Sequence, residues 1–188
     1  MPNTIKKIFP FLSPFRLYLY NVLFSKIPFN GIRLFFVRRY MLVGRHSNVC
    51  VNVKLLNSSI KRSQIQIGNN CVIEPGCLLD GREGKIIIHD NVDIARGSWI
   101  FTMEHDPHAD DYKERYADVI IEESVWIASR VTVLPGVTIG KGSVIASGAV
   151  VTKSIPPMSI AAGVPAKVIG ERKSNLQYKH HFFPLFYT

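Results

Sequence analysis

Residues 118–155 read DVIIEESVWIASRVTVLPGVTIGKGSVIASGAVVTKSI. An aliphatic residue stands at every sixth position: Ile121, Ile127, Val133, Ile139, Ile145 and Val151. Four places after each comes a small or branched one, namely Val125, Val131, Val137, Ser143, Ala149 and Ile155. Turn formers fall between, as in Leu134-Pro135-Gly136 and Gly140-Lys141-Gly142. A period of six is neither the 3.6 of an amphipathic helix nor the two of a half-buried strand, so it marks a repeat of short strands and tight turns.

If each hexapeptide is one flat side of a coil and three sides close a triangle, about eighteen residues make one turn, with a side of roughly 20 Å. The aliphatic residue points inward onto its counterpart in the next coil, and the small residue fits the corner. The same frame runs back through Ile100, Ile94 and Ile88 and, across an insertion at Gly81 to Lys85, through Leu79, Ile73 and Ile67. The expected fold is all-β: a parallel β-helix over residues 43–170, with a helical prefix at 1–42 and a basic, aromatic tail at 171–188. Val43, Val49 and Leu55 keep the spacing of a degraded first coil. Pro156-Pro157 stops the regular coils, and Ser159 to Gly170 reads as one last strand segment.

The net charge of +9 is an N-terminal property. Glu74 is the first acidic residue, so residues 1–73 hold eleven Lys and Arg against no Asp or Glu, whereas 74–188 hold twelve against fourteen. Such asymmetry points to an anionic partner. Interleaving with Phe15, Leu17, Tyr18, Leu23, Phe35 and Phe36 favours lipid headgroups over nucleic acid. Pro10, Pro14, Arg16, Lys26 and Pro28 interrupt the run before it could span a bilayer, and no small-residue cleavage site ends it. Two short helices, at about 14–25 and 29–40, would cap the open end of the coils. Peripheral contact with an anionic membrane surface through residues 1–42 is compatible with that role. Cys71 and Cys77 occupy inward small positions, the pattern of reduced, buried thiols in a cytoplasmic protein.

The repeat breaks once. Between Ile100 and Ile121 lie twenty-one positions where six would serve, so residues 102–117 are extruded as a loop. Long loops on a rigid scaffold are where function concentrates.

Here the chain resembles the hexapeptide acyltransferases, in particular the maltose, galactoside and surface-polysaccharide O-acetyltransferases. The resemblance covers about residues 64–170 and rests on motifs in order. Ile100-Phe101-Thr102-Met103-Glu104-His105 is similar to the segment carrying that family's catalytic histidine. Ser124-Val125-Trp126-Ile127 matches its Trp-Ile signature, Ala146 to Lys153 its last complete coil, and Ala162-Gly163-Val164-Pro165-Ala166-Lys167 its closing stretch. The resemblance implies a left-handed β-helix, a homotrimer with active sites between subunits, and acetyl transfer from acetyl-CoA to a carbohydrate hydroxyl with no metal.

By the same resemblance His105 is the general base of a direct transfer, as suits a side chain that titrates near neutrality. An N–H near Ala128 and Ser129 would stabilise the oxyanion, and Trp126 would line the acceptor or thioester region. Asp93 or Asp106 could orient the imidazole. Glu74 stands where the sugar acetyltransferases commonly have an acceptor-binding asparagine, a departure that bears on the acceptor. The positions matching the coenzyme A groove are Ala128, Ser129, Ala146, Ser147, Thr152, Lys153 and Lys167, the two lysines having the chemistry for phosphates. Surface solvation is the plain alternative for Asp93, Asp106 and both lysines.

Three other readings stay open. An antibiotic O-acetyltransferase shares the coils. A metal enzyme resembling γ-type carbonic anhydrase would need three histidines around zinc, for which His89, His105 and His108 could be counted. A non-catalytic scaffold would use the loop only to bind a partner. The favoured reading is an O-acetyltransferase of capsule, O-antigen or exopolysaccharide biosynthesis, cytoplasmic and beside the inner membrane face.

Overall fold

The computed structural model describes residues 12–56, 62–182 and 184–186; the start of the prefix, residues 1–11, lies outside them. Five coils follow the hexapeptide frame. The first is β1 (Leu42–Val43), β2 (Asn48–Val49) and β3 (Lys54–Leu56); the second is β4 (Ile65–Ile67), β5 (Val72–Ile73) and β6 (Leu78–Asp80). The third is β7 (Ile86–Ile88), β8 (Asp93–Ile94) and β9 (Trp99–Phe101). An extruded ribbon follows, β10 (Met103–His105) with β11 (Glu114–Tyr116). The fourth coil is β12 (Val119–Ile121), β13 (Trp126–Ile127) and β14 (Thr132–Val133), and the fifth is β15 (Thr138–Ile139), β16 (Val144–Ile145) and β17 (Val150–Val151).

Equivalent strands stack into three sheets. The first holds β1-β4-β7-β12-β15, and the third holds β3-β6-β9-β14-β17. The second holds β2-β5-β8-β13-β16 and is extended by β18 (Ser159–Gly163) and β19 (Ala166–Glu171). The register sets each inward aliphatic on its predecessor. Ile67, Ile88, Ile121 and Ile139 form one buried column, and Ile73, Ile94, Ile127 and Ile145 another. Leu55, Leu79, Ile100, Val133 and Val151 form the third.

The turns repeat as strictly as the strands. The third residue after most inward aliphatics has positive φ, from His46, Asn52 and Asn70 to Arg130, Gly136 and Gly148. Glycine and asparagine recur there because the left-handed region suits them. Where the inward corner residue is serine, its hydroxyl staples two coils. Ser98 Oγ donates to Ala128 O (3.0 Å) and accepts from Val131 N–H (3.2 Å). Ser143 does the same with Pro156 O (2.6 Å) and Ser159 N–H (3.2 Å). A buried hydroxyl with both partners made carries no desolvation penalty.

Three sequence expectations need correction. The first coil is not degraded: Val43, Val49 and Leu55 sit in register opposite Ile67, Ile73 and Leu79. Ile155 is not a corner residue but an inward one, bridged to Ile139. The turn is short there because Ser154 Oγ accepts the Thr138 N–H at 2.9 Å, and Ile155 N–H donates to Thr138 O at 2.9 Å. Residues 159–170 form an antiparallel hairpin rather than one strand. Gly163 (φ +101°) and Pro165, which lacks an amide hydrogen, break the extended run. Residues 102–117 are extruded as expected, and within them residues 103–105 pair with 114–116 to make a ribbon.

The prefix caps the open end of the coils as expected. Helices α1 (Leu12–Val22) and α2 (Asn30–Val37), joined through a short 3₁₀ turn at Phe24–Lys26, bury Tyr20, Leu34 and Val37 in the continuous core. The exposed strand edge of the first coil is satisfied by side chains. Asn21 Nδ2 donates to Leu55 O and its Oδ1 accepts from Leu55 N–H, both at 2.9 Å. Arg33 is wholly buried, donating to Val49 O (2.9 Å), Ile27 O (2.7 Å) and Asn30 Oδ1 (2.7 Å). No helix among the described residues is long and apolar enough to cross a membrane. Cys71 and Cys77 are buried and free, as read from the sequence, and burial pushes their thiols up to about 11 and about 12.

Candidate active site

The ribbon leaves the coils at the corner between the third and first sheets. Its base is pinned by Thr102, fully buried, whose hydroxyl lies 2.7 Å from Asp80 O and 3.0 Å from Arg82 O. Ala117 N–H closes the neck on Thr102 O at 3.0 Å. Gly84 lies against this neck: a Cβ there would stand 2.8 Å from both Ala117 O and the Thr102 Cβ. Pairing then runs Met103 with Tyr116, Glu104 with Arg115 and His105 with Glu114. Arg115 crosses the ribbon to Glu104 Oε1 at 2.8 Å.

His105 ends β10, half-buried, with its ring stacked on Tyr112 at 3.7 Å between centroids. Its Nδ1 lies 2.9 Å from Tyr112 O. A carbonyl oxygen only accepts, so Nδ1 carries the proton and the lone pair is left on Nε2. Orientation therefore comes from a backbone carbonyl and a stacked phenol, which no spacing in the sequence signals. Tyr112 takes φ +55°, the strained value that turns its carbonyl toward the imidazole.

Within one protomer, neither candidate carboxylate is hydrogen-bonded to His105 among the described residues. Asp106 Oδ1 accepts from His108 N–H at 2.9 Å and its Oδ2 lies 3.7 Å from Arg115 Nη1, so this side chain closes the ribbon's turn. Asp93 lies on the second sheet, in register with Trp126. Its Oδ1 is buried without a hydrogen-bond partner among the described residues, and burial, then the charge of Glu74, pushes its carboxyl up to about 6. Glu74 Oε2 accepts the Arg96 N–H at 3.2 Å, which gives this departure from the family pattern a turn-capping role.

The matched donor positions separate into two groups. Ala128, Ser129, Ala146 and Ser147 stack at the corner between the second and third sheets, one pair per coil. Ala128 N–H is committed to Ile145 O at 2.9 Å, whereas Ser129 N–H has no backbone acceptor among the described residues. Thr152 and Lys153, both exposed, follow β17 at the same corner as the ribbon. Lys167 projects from the hairpin, paired with Ala162. Within one protomer His105 and Ser129 thus stand at different corners, a side of about 20 Å apart at six residues per side. His89 lies on a coil turn and does not join His105 and His108; no cluster of three His, Cys, Asp or Glu suited to a metal occurs among the described residues.

Comparison with known proteins agrees with this geometry. The family model for the bacterial transferase hexapeptide (six repeats) matches residues 118–153. Galactoside O-acetyltransferase of Escherichia coli is 45% identical over 101 residues, 52% of this chain and 49% of that protein. The chain thus spans about half the length of the curated relatives it matches. The crystal structure of a maltose O-acetyltransferase from Clostridium difficile superposes with a TM-score of 0.70 at 31% identity, over 86% of this chain and 84% of that one. A galactoside acetyltransferase in complex with coenzyme A gives 0.72, also at 31% identity, over 85% and 78%. With the coils, the extruded histidine ribbon and these relatives in agreement, the chain belongs to the hexapeptide-repeat acetyltransferase family.

Proposed function

We propose that this protein transfers an acetyl group from acetyl-CoA to a sugar hydroxyl, with His105 as general base. The observation that carries the reading is the Nδ1 contact to Tyr112 O, which leaves Nε2 basic on a ribbon held clear of the coils. In the reaction the acceptor oxygen attacks the thioester carbonyl as Nε2 takes its proton. The tetrahedral oxyanion is met by a backbone N–H, for which Ser129 is the candidate. The C–S bond then breaks, and the imidazolium returns the proton to the departing thiolate, with no acyl-enzyme.

The corner geometry supports a homotrimer. His105, Thr152 and Lys153 share one corner, whereas Ala128, Ser129, Ala146 and Ser147 share another. Packing three copies around an axis parallel to the coils sets one protomer's histidine corner against its neighbour's donor groove. Coenzyme A would lie in that groove with its phosphates toward Lys153 and Lys167.

An end-cap surface supports work beside a membrane, on capsule or O-antigen precursors at the cytoplasmic face. Phe15, Tyr18, Ile32 and Phe35 are exposed on the two helices, and Phe186 of the tail joins them by bridging to Phe29. This apolar cap belongs to the part of the chain that holds eleven cations and no acid, a match for anionic lipid.

The test is release of free coenzyme A from acetyl-CoA, wild type against His105→Ala, over a panel of mono- and oligosaccharides. Acceptor-dependent release should fall on the order of a hundredfold or more in the variant, with coenzyme A affinity unchanged. Unchanged turnover in His105→Ala would remove the general-base assignment.

A further inference from the structure

The two capping helices are apolar on both sides. Tyr20 of α1 and Leu34 and Val37 of α2 are buried against the coils. Phe15, Tyr18 and Val22 recur three and four residues apart on α1, about half a turn round from Tyr20, and all three are exposed. Ile32 and Phe35 repeat the pattern on α2, with Phe29 at its N-cap, and are 52%, 57% and 46% exposed. A helix that only closes the end of a core needs one apolar stripe. Here each helix has a second, directed away from the coils.

The tail returns to the same face. Asn30 N–H donates to Leu185 O at 3.2 Å, and the Phe186 ring lies against Phe29 with centroids 5.0 Å apart. Leu185 and Phe186 are themselves exposed. Lys26, Arg38 and Arg39 are exposed on the same helical segment, and the Arg39 guanidinium stands 4.0 Å from the Phe35 ring centre. No Asp or Glu precedes Glu74, and none follows Glu171. Apolar rings rimmed by cations match an anionic lipid surface, where the rings sink and the cations meet phosphate. A second copy of this chain would bring the same cations face to face, so charge disfavours a cap-to-cap pair.

The coils fix how far the reacting group stands from this face. The helices close on the first coil through Asn21 at Leu55 and Arg33 at Val49. The ribbon leaves after the third coil and returns at the fourth. At about 4.8 Å per coil that is about 12 Å from the first coil, and the helix layer adds about 10 Å. His105, three residues past the Thr102 neck, is therefore on the order of 20 Å from the apolar face. Threefold packing about an axis parallel to the coils turns three such faces the same way, so a bilayer that meets all three lies across that axis.

We propose that this end stands the molecule upright on an anionic bilayer, and that the acceptor is a lipid-linked oligosaccharide acetylated on a sugar held off the membrane by the units before it, rather than a sugar joined directly to its lipid. This rests on the acetyl transfer and the membrane contact given under the proposed function, and adds to them an orientation and a length of acceptor.

The experiment places a nitrobenzoxadiazole label on the full chain through Ile32→Cys on the cap or Asp110→Cys on the ribbon, the three native cysteines being buried. Phosphatidylglycerol–phosphatidylcholine vesicles should bind the protein about tenfold or more tightly than phosphatidylcholine alone. Ile32→Ser/Phe35→Ser should lose that binding about tenfold or more with the melting temperature unmoved. On binding, the label at position 32 should shift to the blue and the label at position 110 should not. A sugar that supports coenzyme A release in solution is then anchored in the vesicles. It should be acetylated about tenfold or more faster through a spacer of about 20 Å than when joined directly to phosphatidylethanolamine.

Equal binding to both kinds of vesicle would overturn the docking. So would a doubling of mass in solution that Ile32→Ser/Phe35→Ser abolishes, because the face would then take a second copy. A blue shift at both labels would lay the molecule on its side, and equal rates for the two anchored sugars would mean that height does not choose the acceptor; either overturns the proposal. No coenzyme A release with any soluble sugar would instead sink the acetyl transfer, while the vesicle and label results would still decide the docking.

Discussion

Two corners of the same triangle have the same backbone and different fates. Between the first and second sheets, His46, Asn70, Asn91, Ser124, Gly142 and Met158 form a column of positive-φ turns. Between the second and third, Asn52, Gly76, Gly97, Arg130 and Gly148 form another. The first column is covered by the chain's own tail. Arg172 donates to Ser124 O (3.0 Å) and Gly142 O (2.9 Å), Asn91 Nδ2 donates to Tyr178 O (2.9 Å), and His180 N–H donates to Asn91 Oδ1 (3.0 Å). Leu176 packs where a Cβ on Gly142 would stand. The second column is open: a Cβ on Gly148 would meet nothing within 4 Å. The lesson is that a stack of such turns is a ready groove for an extended chain. The protein fills one with residues 172–182 and leaves the other open.

If that contrast is right, changes at the open corner alter binding without stability, and changes at the covered corner do the reverse. The largest effect is expected from Ser147→Tyr, which places a ring in the open groove. The KM for acetyl-CoA should rise on the order of a hundredfold, about 2.7 kcal/mol, while the melting temperature stays put. A fall in melting temperature with unchanged KM would break the comparison from that side.

Next is Arg172→Ala at the covered corner. It removes the donors to Ser124 O and Gly142 O and the 2.6 Å contact with Tyr178 Oη. Leaving two part-buried carbonyls unpaired should cost about 2 kcal/mol, read as a loss of roughly 4–8 °C in melting temperature, with coenzyme A affinity unaltered. A weakened affinity at intact stability would show that the tail does more than fill its groove.

The smallest effect sharpens the picture beside the open corner. Burial holds the Asp93 carboxyl at about 6, above the ordinary carboxylate range, so its charged form opposes folding. The contribution of the neutral form is complete below about pH 4 and is lost as pH rises through about 6. Asp93→Asn should therefore melt a degree or two higher at pH 7 and no higher at pH 4. The same gain at both pH values would mean that ionisation is not the cause.

Much of this was legible in the residues. Twelve inward aliphatics from Ile67 to Val151 were placed by period alone, because a side chain stacked on its own kind in every coil must recur at a fixed interval. His105 was found by motif and by the break in that period. What spacing did not show was how His105 is held. Tyr112 lies across a hairpin whose pairing depends on Arg115, Glu104 and Asp106 meeting in space. Asp106 looked like an orienting carboxylate because adjacency in sequence is not adjacency of functional atoms. On alternate sides of a strand, neighbours face apart.

By itself, the sequence determined the coil, its three-sided closure, the capping prefix and the place where the chain leaves the coil. Each is a local period or a local interruption of one, and such signals survive without knowledge of long-range contacts. Only the tertiary structure decided which corner each turn belongs to and that residues 172–182 cover one corner. Those facts depend on residues roughly twenty to ninety positions apart stacking in register, and a short insertion in any coil would have moved them all.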